Sequence, residues 1–263
     1  MIEIILYLIS GIFIGSMAGL FGIGGGLLIV PVVTYSLVYF HHVSFDIALL
    51  SGVSTSLASI IFSGIVASIT HIKNKNFDIG IFKRFMWGVL FGSLVIGFFL
   101  KQIPTEIIKT CFIFYTFLAA YKIIKQQTGV RQKIFPAELI CQSIGAIFAT
   151  LSGLIGIGGG TLFVPYLLSK NIMPKLAVGI ASVLGLVIGI GSSCAIFFAA
   201  ETTEMNHMVG YIYLPAIVFL TLPSLLFVKL SATWLLSISD TAIKKAFAAL
   251  LVVIGILMLI NPY

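Results

Sequence analysis

Residues 19–31 read G-L-F-G-I-G-G-G-L-L-I-V-P, and residues 153–165 read G-L-I-G-I-G-G-G-T-L-F-V-P. Ten of the thirteen positions are identical, at a constant offset of 134 that Gly11 and Gly145 also obey. A fainter echo sets Ser51-Gly52-Val53-Ser54-Thr55-Ser56-Leu57 against Val178-Gly179-Ile180-Ala181-Ser182-Val183-Leu184. Self-similarity of this kind marks a chain built from a repeated unit. We read two repeats, 1–133 and 134–263, joined by the polar stretch Lys122 to Lys133.

The material around the repeat is apolar. Hydrophobic residues make up 60% of the chain, charged residues 9%, and the mean hydropathy is +1.19. An ordinary soluble domain is about 25% charged. Even a well-packed soluble domain of about 300 residues buries only roughly 75% of the surface its unfolded chain exposes. Lipid removes that difficulty, and it demands that backbone amides be satisfied within the chain, by helices or a closed barrel. The apolar runs are long and continuous, which selects helices. The expected fold is an all-α integral membrane protein of about five hydrophobic segments per repeat, with glycine-rich breaks. The segments are 3–21, 27–40, 47–69, 85–100 and 105–121, then 136–155, 161–169, 176–199, 208–228 and 243–260. The first carries Glu3 as its only charge and no basic leader, so it reads as structure.

The segments 27–40 and 161–169 are too short to cross a hydrocarbon core of about 30 Å. The glycine cluster before each is therefore either a break within one span or a turn between a full helix and a short returning one. The positive-inside rule separates the two. With turns, the basic loops 71–84, 122–133, 170–175 and 229–245 share one face and hold thirteen of the fifteen Lys and Arg. With breaks, the cations divide eight against seven. The turn reading gives an odd number of segments per repeat, so the repeats insert in opposite senses, as in many secondary transporters. The net charge of +7 then reports orientation in lipid, and no nucleic-acid partner is expected. Trp87 and Tyr121, near the basic face, suit interfacial anchors.

Four glycines in five positions, Gly22, Gly24, Gly25 and Gly26, then Gly156, Gly158, Gly159 and Gly160, open the short segments. Glycine admits positive φ and leaves backbone amides unobstructed. A helix start combines unpaired amides with a favourable dipole, the makings of an anion site. Two starts converging from opposite faces would surround one small anionic solute. Ser54, Thr55 and Ser182, in the second echo, would add neutral donors. Pro31 and Pro165 are expected in the early turns of the short helices. The spaced pairs Gly15/Gly19, Gly88/Gly92 and Gly185/Gly189 read as helix packing.

Other chemistries find no footing. Neither cluster completes a P-loop or a dinucleotide fingerprint, and no HExxH or GxSxG occurs. Cys111, Cys141 and Cys194 lack metal spacing, and His41, His42 and His207 fall in expected outer loops. No metal site, cofactor or catalytic residue is expected, and the chain does not read as an enzyme.

The doubled G-x-G-G-G-x-x-x-V-P, the A-x-G-x-x-S stretch from Ala177 to Ser182, and Gly210-Tyr211-Ile212, Leu214-Pro215 and Phe247 resemble the TauE/SafE family, the sulfite exporter or TSUP family. The resemblance covers nearly the whole chain. It implies a multi-pass plasma-membrane permease for small anions, in particular sulfur oxyanions such as sulfite, thiosulfate or organosulfonates. An anion channel and a non-transporting subunit of an uptake complex are the alternatives. Membrane lipid is the expected surrounding, and the coupling ion and any homo-oligomer stay open.

Overall fold

The computed structural model describes residues 1–21, 25–125, 135–199, 207–234 and 240–260, apart from the side chains of 17–21, 123, 229–234, 240–244, 246 and 247. Gly22, Gly24, most of the polar joint and the loop of Glu201 and Glu204 lie outside the described residues. The protein is an all-α membrane protein. Its helices are α1 (Ile2–Phe21), α2 (Gly26–His41), α3 (Phe45–Lys73), α4 (Ile79–Phe99), α5 (Thr105–Ile124), α6 (Glu138–Ile155), α7 (Gly160–Ser169), α8 (Pro174–Ala199), α9 (Leu214–Trp234) and α10 (Asp240–Ile260). Among the described residues, Phe45–Lys73, Ile79–Gln102, Glu138–Ile155 and Pro174–Ala199 are each long and apolar enough to cross a bilayer. Large apolar side chains such as Phe91, Phe114 and Leu226 stand exposed, as a lipid-facing surface requires. Trp87 and Tyr121 are exposed as well.

The ten expected segments correspond to the ten helices. The ninth starts at Leu214 because 208–213 form a two-stranded hairpin, β1 (Met208–Val209) with β2 (Ile212–Tyr213), turned by Gly210 at φ 60°. Pro31 and Pro165 each stand sixth in their helices, beyond the free first turn. The carbonyls of Leu27 and Thr161 therefore have no i+4 amide to accept from.

The glycine clusters are turns. Glu3 on α1 meets His41 on α2, Tyr7 meets Ser36, and a Cβ on Gly25 would reach Ile14 Cγ2 at 2.7 Å. As the number falls along α2 it rises along α1, so the two helices form an antiparallel hairpin. The second cluster does the same: Phe148 on α6 stacks edge-on against Phe163 and Tyr166 of α7. The mouths of the two hairpins lie at opposite ends of α3. That helix starts just past His41 and ends where His71 and Asn76 press on Gly179 in α8, shortly after α7.

Glycine seams fix the rest. Gly11 and Gly15 of α1 lie against the backbone of Leu220 and Ser224 on α9. Gly88 and Gly92 of α4 lie against the backbone of Gln142 and Ala146 on α6. A Cβ at any of the four would collide with a carbonyl oxygen, so these helices touch backbone to backbone. Gln142 strengthens the second seam, its Oε1 accepting from the Gly88 amide at 2.6 Å. Thus α1 packs on α9 and α4 on α6. Gly185 and Gly189 serve close packing too, against Gly159 and Leu57.

Candidate functional site

The tips of the hairpins meet. The second turn closes as a glycine-ended helix cap: Gly156 sits at φ 73°, its amide reaches Gly153 O at 3.4 Å, and the Ile157 amide reaches Ser152 O at 2.9 Å. That geometry turns the Gly156 carbonyl toward α2. A Cβ on Gly26 would lie 2.6 Å from this oxygen and 3.1 Å from Ile157 Cα. Only glycine at 26 permits the approach.

α3 binds the tips together. Ser56 Oγ donates to Gly156 O at 2.6 Å and lies 3.4 Å from Gly26 O. Val53 Cα would be 3.0 Å from a Cβ on Gly156, and Gly52 lies under Thr34 and the Val30 carbonyl of α2. Residues 48–60 of α3 are continuously buried.

Both short helices begin without a side-chain cap, α2 after Gly25 (φ 62°) and α7 after Gly159. First-turn amides have no partner within their own helix. Around this junction the hydroxyls of Ser51, Ser54 and Ser59 on α3 and Ser152 on α6 are buried with no hydrogen-bond partner among the described residues. A buried hydroxyl without a partner costs about 1–3 kcal/mol, so four of them call for an explanation. Space is available beside them: the nearest atoms to a Cβ on Gly158 would be those of Ile60, at 3.8 Å and beyond.

The expected residues divide accordingly. Gly25, Gly26, Gly156, Gly158, Gly159 and Gly160 all belong to the two tips, and Ser54 offers a free buried hydroxyl. Gly159 meets Gly185 of α8, whose backbone a Cβ would approach to 3.0 Å. Thr55 Oγ1 is occupied, accepting from the Tyr213 amide at 2.9 Å. The Ser182 hydroxyl donates back to Val178 O at 2.8 Å. Gly22 and Gly24 lie outside the described residues. Among those residues no group of three metal-ligating side chains occurs.

Residues 7–258 match the family described as "Sulfite exporter TauE/SafE". The chain belongs to the sulfite exporter TauE/SafE family. It is 29% identical over 263 residues, 98% of each chain, to a "Probable membrane transporter protein" of Haemophilus influenzae. A protein with the same description from Methanocaldococcus jannaschii is 29% identical over 267 residues, covering 97% of this chain and 95% of its own. Another from Bacillus subtilis is 24% identical over 229 residues, 78% of each chain. No solved structure matches. Family and relatives are those of a membrane transporter.

This TauE/SafE chain also carries a polar cluster at the mouth of its first hairpin, which spacing alone did not single out. His41 Nε2 lies 3.1 and 3.2 Å from the Glu3 carboxylate oxygens and 3.0 Å from the Tyr213 hydroxyl. Tyr7, fully buried, hydrogen-bonds Ser36 and stacks edge-on with Tyr213 at 6.4 Å. The signal in the sequence was faint: one acid and one histidine 38 residues apart, each in a separate apolar segment.

Proposed function

We propose that the protein is a multi-pass plasma-membrane permease for a small sulfur-containing oxyanion of the sulfite, thiosulfate or organosulfonate class. Two halves, 1–133 and 134–263, inserted in opposite senses, would alternate access to one site between the hairpin tips. The observation carrying this reading is the contact of Gly26 with Gly156, which joins two uncapped glycine turns beside buried, unpartnered hydroxyls. An oxyanion supplies the acceptors those groups lack. Amides of Gly25, Gly26 and Gly158–Gly160, with Gly22 and Gly24 completing the clusters, would form the shell, and Ser54 would donate a hydroxyl. Thr55 supports the shell by holding the Tyr213 amide against α3, whereas the Ser182 hydroxyl is spent on its own helix. Helix starts favour negative charge, and a dry surrounding strengthens the attraction.

The test is exchange in liposomes. Purified protein should carry labelled sulfite or thiosulfate into vesicles preloaded with the unlabelled anion, saturably, whereas a channel would show no such counterflow. Gly25→Val and Gly159→Val should abolish exchange while the protein still inserts. Normal exchange in both variants would remove the tips from the mechanism.

A further inference from the structure

We propose that Glu3, His41 and Tyr213 form a proton-operated latch that closes the mouth of the first hairpin and governs access to the tips. The proposal rests on reading the tips as the solute site. His41 Nε2 is the one ring nitrogen facing both carboxylate oxygens and the Tyr213 hydroxyl, all within 3.2 Å. A single nitrogen answers these neighbours differently in its two protonation states. Carrying a proton on a charged ring, it donates to the carboxylate in a charge-assisted bond, roughly twice as strong as a neutral one. On a neutral ring the bond is weaker, or the nitrogen turns acceptor toward Tyr213 and opposes the carboxylate lone pairs. Acid therefore tightens α2 onto α1.

The latch reaches the site through bonded atoms. The backbone amide of Tyr213 donates to Thr55, fully buried on α3, and the next residue, Ser56, holds Gly156 O at the tips. Protonation of Nε2 removes the lone pair to which the Tyr213 phenol donates, so in acid His41 passes from Tyr213 to Glu3 and β2 is free to shift on Thr55. Among the other ionisable groups at this end, Tyr7 of α1 also faces Glu3 and Tyr213. Met1 precedes α1, and His42 follows α2 in left-handed backbone at φ 52°. The β hairpin adds His207, on α3 Asp46 accepts from Thr105 of α5, and Lys109 of α5 covers Phe45 at 5.3 Å. Described residues of α10 near Leu257, where Tyr35 bonds, include no ionisable group.

The experiment uses the full chain in liposomes with Cys111, Cys141 and Cys194 replaced by serine and Ser54→Cys as reporter. Labelling by a membrane-impermeant methanethiosulfonate is measured at pH 5.5 and 8, each rate divided by that of the same protein carrying His41→Gln. The division cancels the thiol's own ionisation. We expect the ratio to fall severalfold at pH 5.5, and to be flat when Glu3→Gln or Tyr213→Phe is present in both proteins compared. A flat ratio with Glu3 and Tyr213 intact overturns the latch. If the unsubstituted protein shows thiosulfate counterflow, the permease reading survives that failure. A pH-dependent ratio together with no counterflow of any tested oxyanion by the unsubstituted protein supports the latch and removes the permease.

Discussion

The two hairpins share a tip and differ in almost everything else. The returning arm of the first is α2, sixteen residues and about 24 Å long, and that of the second is α7, ten residues and about 15 Å. Their meeting point therefore lies nearer the mouth of the second hairpin than a strict twofold arrangement would set it. The mouths differ in chemistry as well. The first is closed by a carboxylate, an imidazole and a phenol. The second is closed by rings: Phe85 packs on Phe163 and Tyr166 at 5.8 Å, with Arg84 over Phe135 and Lys170 over Tyr166. What the chain repeats is the junction of backbone at the centre. What it varies is the way each end is stopped, one by a carboxylate, an imidazole and a phenol in contact and one by stacked rings under cations.

The largest effect should come from the shared tip. Gly156→Val forces a β-branched residue into left-handed backbone, at about 1–2 kcal/mol, and drives its Cβ into Val30 and Val53. Gly26→Val meets the opposing carbonyl. Both should abolish counterflow, and unequal losses would show that one hairpin carries more of the site. Next come the seams. Gly88→Ala and Gly15→Ala should each lower the apparent Tm of the purified protein by several degrees, because a methyl group must displace a neighbouring backbone. If only one does, the halves are not equivalently held. A smaller loss is expected for Ser56→Ala, about 1–3 kcal/mol, since Gly156 O is left without its donor. Smallest on stability is Gly158→Ala, whose Cβ finds ordinary space. Lost transport with an unchanged melting curve would mark that space as the solute's own.

Much of this was legible from the chain. Long apolar runs gave the ten helices, because in lipid no other structure satisfies the amides. The cation bias selected turns over breaks, and the pairings Glu3–His41 and Phe148–Phe163 show turns. The glycines of the tips were legible because their spacing departs from any helical packing pattern and occurs twice. The hydroxyls were not. Ser51, Ser54, Thr55, Ser56 and Ser59 look alike in sequence, and only packing decides which hold backbone and which stay unpartnered. Gly88 and Gly92 showed their purpose but not their partner, because a seam names one side only. The mouth cluster was hidden for the same reason: Glu3, His41 and Tyr213 come from three segments that meet only once the hairpin closes.

The crossed seams bear on how the molecule is made. Gly11 and Gly15 are made well before the backbone they fit, at Leu220 and Ser224. Gly88 and Gly92 wait a shorter time for Gln142 and Ala146. The nascent protein must therefore park α1 against lipid while the middle of the bundle assembles. Insertion of α9 completes that seam, and a chain stopped before it leaves the groove of α1 open.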